Sequence, residues 1–264
     1  MKIFLAKFEP DRTGGGWVWQ RNFIKGAQIY RYEEADVYLI SGSSMVDKEE
    51  VRRAKSDGKK IVLRADNMPR NSRNRNSGSS RLKLFAELAD LVIYQSKWAR
   101  NFLFPFLQID GPVILNGVDT DRFNPHNRTA DEETYLYCRS SRDEGKQWIM
   151  AWYWFVNNPG LLEIVGKFSD ENFDYNFDFF NKERYRFIGT QEHMEDVYSR
   201  NKYFLYTYLN DACSNTLLEA RASGMEILDI YGMLKTGGAP EIMALEDLSS
   251  ERMTQEYLNE IKRL

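Results

Sequence analysis

The sequence predicts an α/β fold built from two doubly wound halves, and three observations lead there. Short apolar runs alternate with helical stretches along the chain, as in parallel sheets layered with helices. The alternation breaks once, near Asn116-Gly117 and Pro125, where turn chemistry separates two stretches of similar layering. The chain has 264 residues with 6 Trp, 15 Tyr and 16 Phe, enough for one large core or two small ones.

In the first half, strands are expected at 3–8, 37–40, 60–64, 91–94 and 113–115. Helices are expected at 47–55 (stopped by Gly58), 81–89 and 97–104. Thr13-Gly14-Gly15-Gly16-Trp17 reads as a Gly-rich loop that permits close backbone approach and unusual dihedrals, although a flexible loop needs no ligand. It is not a Walker loop, because no Gly-Lys-Ser/Thr follows. In the second half, strands are expected at 135–138, 161–165, 185–188, 203–206 and 226–230. Helices are expected at 146–156, 194–200 and near 240–245, and a last one runs over 250–264 with Ser249 or Ser250 as its cap. The expected division is 1–117, 118–249 and a C-terminal helix at 250–264 that crosses back to the first domain.

Composition excludes several classes. A formal net charge of -3 argues against a protein that coats nucleic acid, and there is no specific nucleic-acid signal. Cys138 and Cys213 have neither metal-ligand spacing nor a disulfide framework, and two His argue against a zinc site. No apolar run is long enough for a transmembrane segment, and the start is too soon interrupted for a signal peptide. A reducing, cytoplasmic location is the default.

The most informative stretch is 211–224. Asp211 is followed eight positions later by Glu219. Between them Ser214, Asn215 and Thr216 are good helix starters, and Leu217, Leu218, Ala220 and Ala222 supply helical, mostly apolar content before Gly224. Free N–H groups and the positive dipole end of a helix suit a phosphate. Flanking acids would repel phosphate and are better suited to sugar or ribose hydroxyls. One segment that handles both points to a nucleotide sugar; an ordinary capped amphipathic helix is the plainer reading.

This acid-x7-acid spacing, with Ala220, Ser223 and Gly224 after it, resembles the retaining GT-B glycosyltransferases of family 4. So does the segment 114–125, with Asn116-Gly117-Val118-Asp119 and then Phe123-Asn124-Pro125, which is close to the family's interdomain signature. The resemblance implies two Rossmann-like domains facing across a cleft. It also implies transfer, with retention, from a nucleotide-sugar donor (a UDP- or GDP-sugar) to an acceptor hydroxyl, with no cofactor or metal required. The acceptor would be a glycan, a lipid-linked or another hydroxyl compound, or an anionic one.

The resemblance also distributes roles. Glu219 would hold the ribose and Asp211 a sugar hydroxyl, with the backbone at Ser214, Asn215 and Thr216 on the diphosphate. Arg139 and Lys146 would neutralise the leaving group, with Arg142 a rival for either role, since Arg suits phosphate with its forked donors. Gly15 and Gly16 would lie near the donor, and Gly189, after Phe187-Ile188, near the base. This chain departs from the family in having Asp211 where Glu is usual and no His near 64–67. Asp66 is the nearest polar substitute there, as a sugar ligand, an acceptor-orienting group, a base or simply a loop cap. Arg70, Arg73 and Arg75 form either a solvated lid or an electropositive surface for an anionic acceptor. The alternatives are a catalytically inactive nucleotide- or glycan-binding protein on this fold, and a dinucleotide enzyme. The latter is disfavoured because no Gly-x-Gly-x-x-Gly follows the first strand.

Overall fold

Nine strands and nine α-helices are seen in a computed structural model that describes residues 1–12, 14–65, 78–130, 133–138, 147–166 and 182–264. These residues form two units. One comprises Met1–Gly117, Ala212–Asn215 and Ala244–Leu264; the other comprises Val118–Asp211 and Thr216–Met243.

The first unit holds a parallel sheet of β1 (Ile3–Leu5), β2 (Val37–Ile40), β3 (Lys60–Ala65) and β4 (Leu91–Tyr94) in that order. Isolated parallel bridges add Ile29 beside Ile3 and Val113 beside Tyr94. Ile3 also pairs with Val37, so Ile29 occupies the other edge of β1. The chain therefore leaves β1 through α1 (Gly15–Gly26) to one side and crosses to β2 on the other. That makes β1 a topological switch point, the position where ligands bind in open α/β sheets.

Successive strand residues point to opposite faces, and both faces are covered. Leu63 and Ile40 pack with Val51 of α2 (Lys48–Ser56), Phe85 of α3 (Gly78–Leu88) and Leu103 of α4 (Lys97–Leu107). Leu39 and Val62 pack with Trp19 and Phe23 of α1 and with Met253 and Tyr257 of α9 (Ser250–Ile261). Each fully buried Leu, Val or Phe contributes about 1.5–3 kcal/mol relative to exposure. Ser249 caps α9, accepting from the Arg252 N–H at 3.1 Å. Gly117 permits the approach: a Cβ there would lie 2.3 Å from the Ser249 carbonyl oxygen.

The second unit holds β5 (Thr134–Cys138), β6 (Leu161–Val165), β7 (Tyr185–Gly189), β8 (Tyr203–Tyr206) and β9 (Glu226–Asp229). All are parallel, in the order β7-β6-β5-β8-β9. Its helices are α5 (Trp148–Val156), α6 (Met194–Arg200), α7 (Asn215–Ala222) and α8 (Ala239–Ala244). The strand order reverses between β5 and β8. The segments that leave those two strands are 139–146 and 207–214. Both units are thus doubly wound.

Several expectations are corrected. The strand expected over 3–8 stops at Leu5, because Lys7 adopts a left-handed φ of 48°. The strand expected over 113–115 is only the Val113 bridge, because β4 ends at Tyr94, the residue that Val113 sits beside. The helix expected to end at 104 runs to Leu107 through Pro105 and stops at Gln108, which is left-handed at φ 56°. The last strand stops at Asp229, where Ile230 begins a 3-10 turn. The Gly-rich segment is not a loop throughout. Gly14, at φ 130°, needs to be glycine, but Gly15 and Gly16 form the first turn of α1.

Candidate functional site

In the second unit the site is organised by α7. Leu217, Leu218 and Ala220 are fully buried and anchor the helix. It ends in a Schellman motif: the Gly224 N–H reaches the Arg221 carbonyl at 3.0 Å, and the Met225 N–H reaches Ala220 at 3.0 Å. Gly224 sits at φ 70° with no room for a side chain, since a Cβ would lie 2.8 Å from the Pro125 Cβ. Pro125 belongs to the aromatic-x-Pro segment, so the two motifs that the sequence singled out are packed together here.

Glu219 is only 8% exposed, and its Oε2 accepts a hydrogen bond from the Tyr198 hydroxyl at 2.9 Å. Burial, and then the neighbouring Glu219 carboxylate, push the Tyr198 phenol well above its ordinary range, so it remains a donor. Phe123 meets Tyr198 edge to face, with ring centroids 5.7 Å apart. The Tyr208 hydroxyl donates to the Cys138 carbonyl at the end of β5, and the Thr216 hydroxyl lies 3.4 Å from Tyr208. The first turn of α7 is thereby tied to the carboxyl end of the central strand. Asp211 is half-buried, and its carbonyl is held by the Gly238 N–H at 2.8 Å. Gly189 closes β7 at φ 68°, and among the described residues nothing lies within 4 Å of where its Cβ would stand.

In the first unit, the segment Ala212–Asn215 is held by Asn116. The Asn116 side-chain amide donates to Asn215 Oδ1 at 2.8 Å and to the Cys213 carbonyl at 3.2 Å. Its backbone N–H reaches Cys213 Sγ at 3.3 Å. Asn215 in turn donates to the Gly15 carbonyl at 3.2 Å. Behind Asn116 lies Arg64, 3% exposed, which donates to Asn116 Oδ1 at 3.1 Å, Gln95 Oε1 at 2.6 Å and the Ser41 carbonyl at 2.7 Å. Ser214 is buried, so Asn215 and Thr216, both half-buried, are the members of the expected trio that reach the surface.

Of the residues expected from sequence, Gly15, Gly16, Ser214 and Asn215 fall in the first unit. Asp211, Thr216, Glu219 and Gly189 fall in the second. Asp66, Arg70, Arg73, Arg75, Arg139, Arg142 and Lys146 lie outside the described residues. From sequence, Asn116 is read only as part of a turn and of the interdomain segment, and Arg64, Tyr198 and Tyr208 are given no role. Asn116 alone stood inside a recognised motif; the other three owe their roles to packing and have no local signature.

No protein-family model and no curated protein matches the chain. Solved structures do. Anabaena HepE, in complex with UDP and glucose, matches at 13% identity over 100% of both chains, with a TM-score of 0.74. The fold is GT-B. A sucrose-phosphate synthase from Thermosynechococcus elongatus matches this GT-B chain at 14% identity, over 86% of this chain and 73% of that one, with a TM-score of 0.63. WaaG, a glycosyltransferase involved in lipopolysaccharide biosynthesis, matches at 12% identity over 97% and 89%, with a TM-score of 0.59. HepE also matches in its complexes with UDP and with UDP-glucose. Among the described residues no helix is long and apolar enough to cross a membrane.

Proposed function

We propose that this protein is a retaining glycosyltransferase of the family-4 type, moving a sugar from a nucleoside-diphosphate sugar to an acceptor hydroxyl. The observation that carries the reading is Glu219: a nearly buried carboxylate, oriented by the Tyr198 hydroxyl, in the second turn of a helix that begins at Asn215. A desolvated, fixed carboxylate is a strong acceptor for a ribose hydroxyl, and the nearby helix start supplies N–H groups for phosphate. The likeness to structures holding UDP and UDP-glucose supports the same ligand class.

In this scheme Glu219 holds the ribose, Asp211 a hydroxyl of the transferred sugar, and the backbone near Gly189 the base. Arg139 and Lys146, with Arg142 between them, come directly after β5 in the sequence. They would neutralise the diphosphate as the glycosidic bond breaks, so that no metal is needed for that charge. The acceptor hydroxyl attacks on the face where the diphosphate departs, and a diphosphate oxygen takes its proton. Residues 1–117 form the acceptor side, with Asp66, Arg70, Arg73 and Arg75 as its polar and basic groups. Both cysteines are free and buried, which suits a reducing compartment.

The test is a panel of UDP- and GDP-sugars. Thermal stabilisation by UDP or GDP, with slow hydrolysis of one donor, supports the reading; indifference to every nucleotide overturns it. The absence of His at 64–67 and Asp at 211 favour a second reading, a binding protein on this fold, which predicts stabilisation with no turnover toward any acceptor.

A further inference from the structure

We infer that Arg64 and Asn116 are positioning residues for the donor-binding segment at Ser214–Asn215, an inference that rests on the reading above. Four observations meet at one place in the first unit. Arg64 is a nearly buried cation whose acceptors among the described residues are all neutral, the Ser41, Gln95 and Asn116 oxygens, with no carboxylate paired to it there. Its Nε is buried and also without a partner among the described residues. A buried guanidinium held this way is costly to the fold. Such a charge also polarises the groups it touches. The Asn116 side chain is the coupling element. Its Oδ1 is taken by Arg64, which fixes the amide so that Nδ2 must face the Cys213 carbonyl and Asn215 Oδ1. Asn215, held on that side, also donates to the Gly15 carbonyl at the first turn of α1.

The chain Arg64–Asn116–Asn215–Gly15 therefore fixes the Cys213 carbonyl and the Asn215 side chain within the first unit, from the end of β3 and the first turn of α1. Neither Arg64 nor Asn116 needs to touch the ligand. The geometry also explains why Asn, rather than Asp or Ser, stands at 116. The position must accept from a cation on one side and donate to two oxygens on the other, and only a primary amide does both.

The deciding experiment is Asn116→Asp, with the chain otherwise intact. Asp keeps the acceptor for Arg64, and adds a charge that pairs with it, but turns a carboxylate oxygen toward Cys213 O and Asn215 Oδ1. Positioning predicts a melting temperature near that of wild type. It also predicts UDP or GDP affinity lowered about tenfold or more, with a similar fall in turnover, because a misaligned site loses rate steeply with small displacements. Asn215→Ala should reproduce the loss, and the double variant should lose no more than the single ones, since both remove the same link. If Asn116→Asp proves unfolded, Asn215→Ala combined with Arg64→Lys carries the same additivity test. Unchanged nucleotide affinity in Asn116→Asp and Asn215→Ala, or fully additive losses, overturns the inference while leaving the functional reading intact. A wild-type protein that binds no nucleotide diphosphate overturns the functional reading itself.

Discussion

The Tyr198 hydroxyl donates to Oε2 of Glu219 at 2.9 Å, and both residues are buried. Tyr198 is itself braced by Phe123, whose neighbour Pro125 packs on the Gly224 that ends α7. One short segment, 123–125, thus supports the carboxylate proposed to hold ribose from two directions. Tyr198→Phe removes the donor and leaves a buried carboxylate oxygen short of a partner, which should cost about 1–3 kcal/mol of stability. Donor KM should rise with little change in kcat, as measured by steady-state kinetics beside a melting curve. An unaltered KM would show that the hydrogen bond serves packing alone.

Glu219 should behave as a uniform binding group. Glu219→Ala should raise donor KM by about tenfold or more, since a buried hydroxyl of the ligand is left unpaired. A donor lacking one ribose hydroxyl should show the same penalty on wild type and none on Glu219→Ala. Equal penalties on both proteins would place the ribose elsewhere.

Arg139 and Lys146 should act mainly in the transition state, where the leaving diphosphate gains charge. Arg139→Ala and Lys146→Ala should lower kcat more than they raise the donor Kd, measured by comparing turnover with calorimetric binding. Equal losses would mean that the two cations bind the ground-state phosphate only.

Asp90 provides a pH test of the first unit. Burial alone would raise its carboxyl pKa. The Lys55 ammonium at 2.8 Å, the Ile61 N–H at 2.8 Å and Lys60 at 3.7 Å outweigh this and hold it below the ordinary range. A carboxyl with a depressed folded pKa contributes stability above its unfolded pKa, near 4, and that contribution is lost as pH falls through the folded value. Because Lys55 is partly exposed and screened, Asp90→Asn should cost about 1 kcal/mol at neutral pH. The variant and wild type should converge below the folded pKa. A gap in urea midpoints that persists in acid would contradict this origin.

Gly224→Ala should destabilise the protein by about 1–3 kcal/mol, because a left-handed φ of 70° and contact with Pro125 both oppose a side chain. Hydrogen exchange at Met225 should accelerate as the Schellman bonds loosen. Unchanged exchange and midpoint would show that the Pro125 segment yields without cost.

The α/β layering, most of the strands and the 211–224 helix with its glycine stop were legible in sequence. Each is local: apolar periodicity, a turn dipeptide, a cap or a stop acts within one turn of helix or one strand length. The spacing of Asp211 and Glu219 and the segment 114–125 are visible for the same reason, as residue types at fixed positions, while the roles proposed for the two acids rest on the reading above. Only the tertiary structure decided that Gly15 and Gly16 begin a helix, that Ile29 makes β1 a switch point, that Arg64 and Asn116 meet behind Cys213 and Asn215, and that Tyr198 and Tyr208 bond to Glu219 and the Cys138 carbonyl. Those outcomes depend on pairing across tens of residues and on which buried polar group meets which. A single arginine in an apolar strand, or a tyrosine in an acidic helix, carries no local mark of the partner that packing will bring to it.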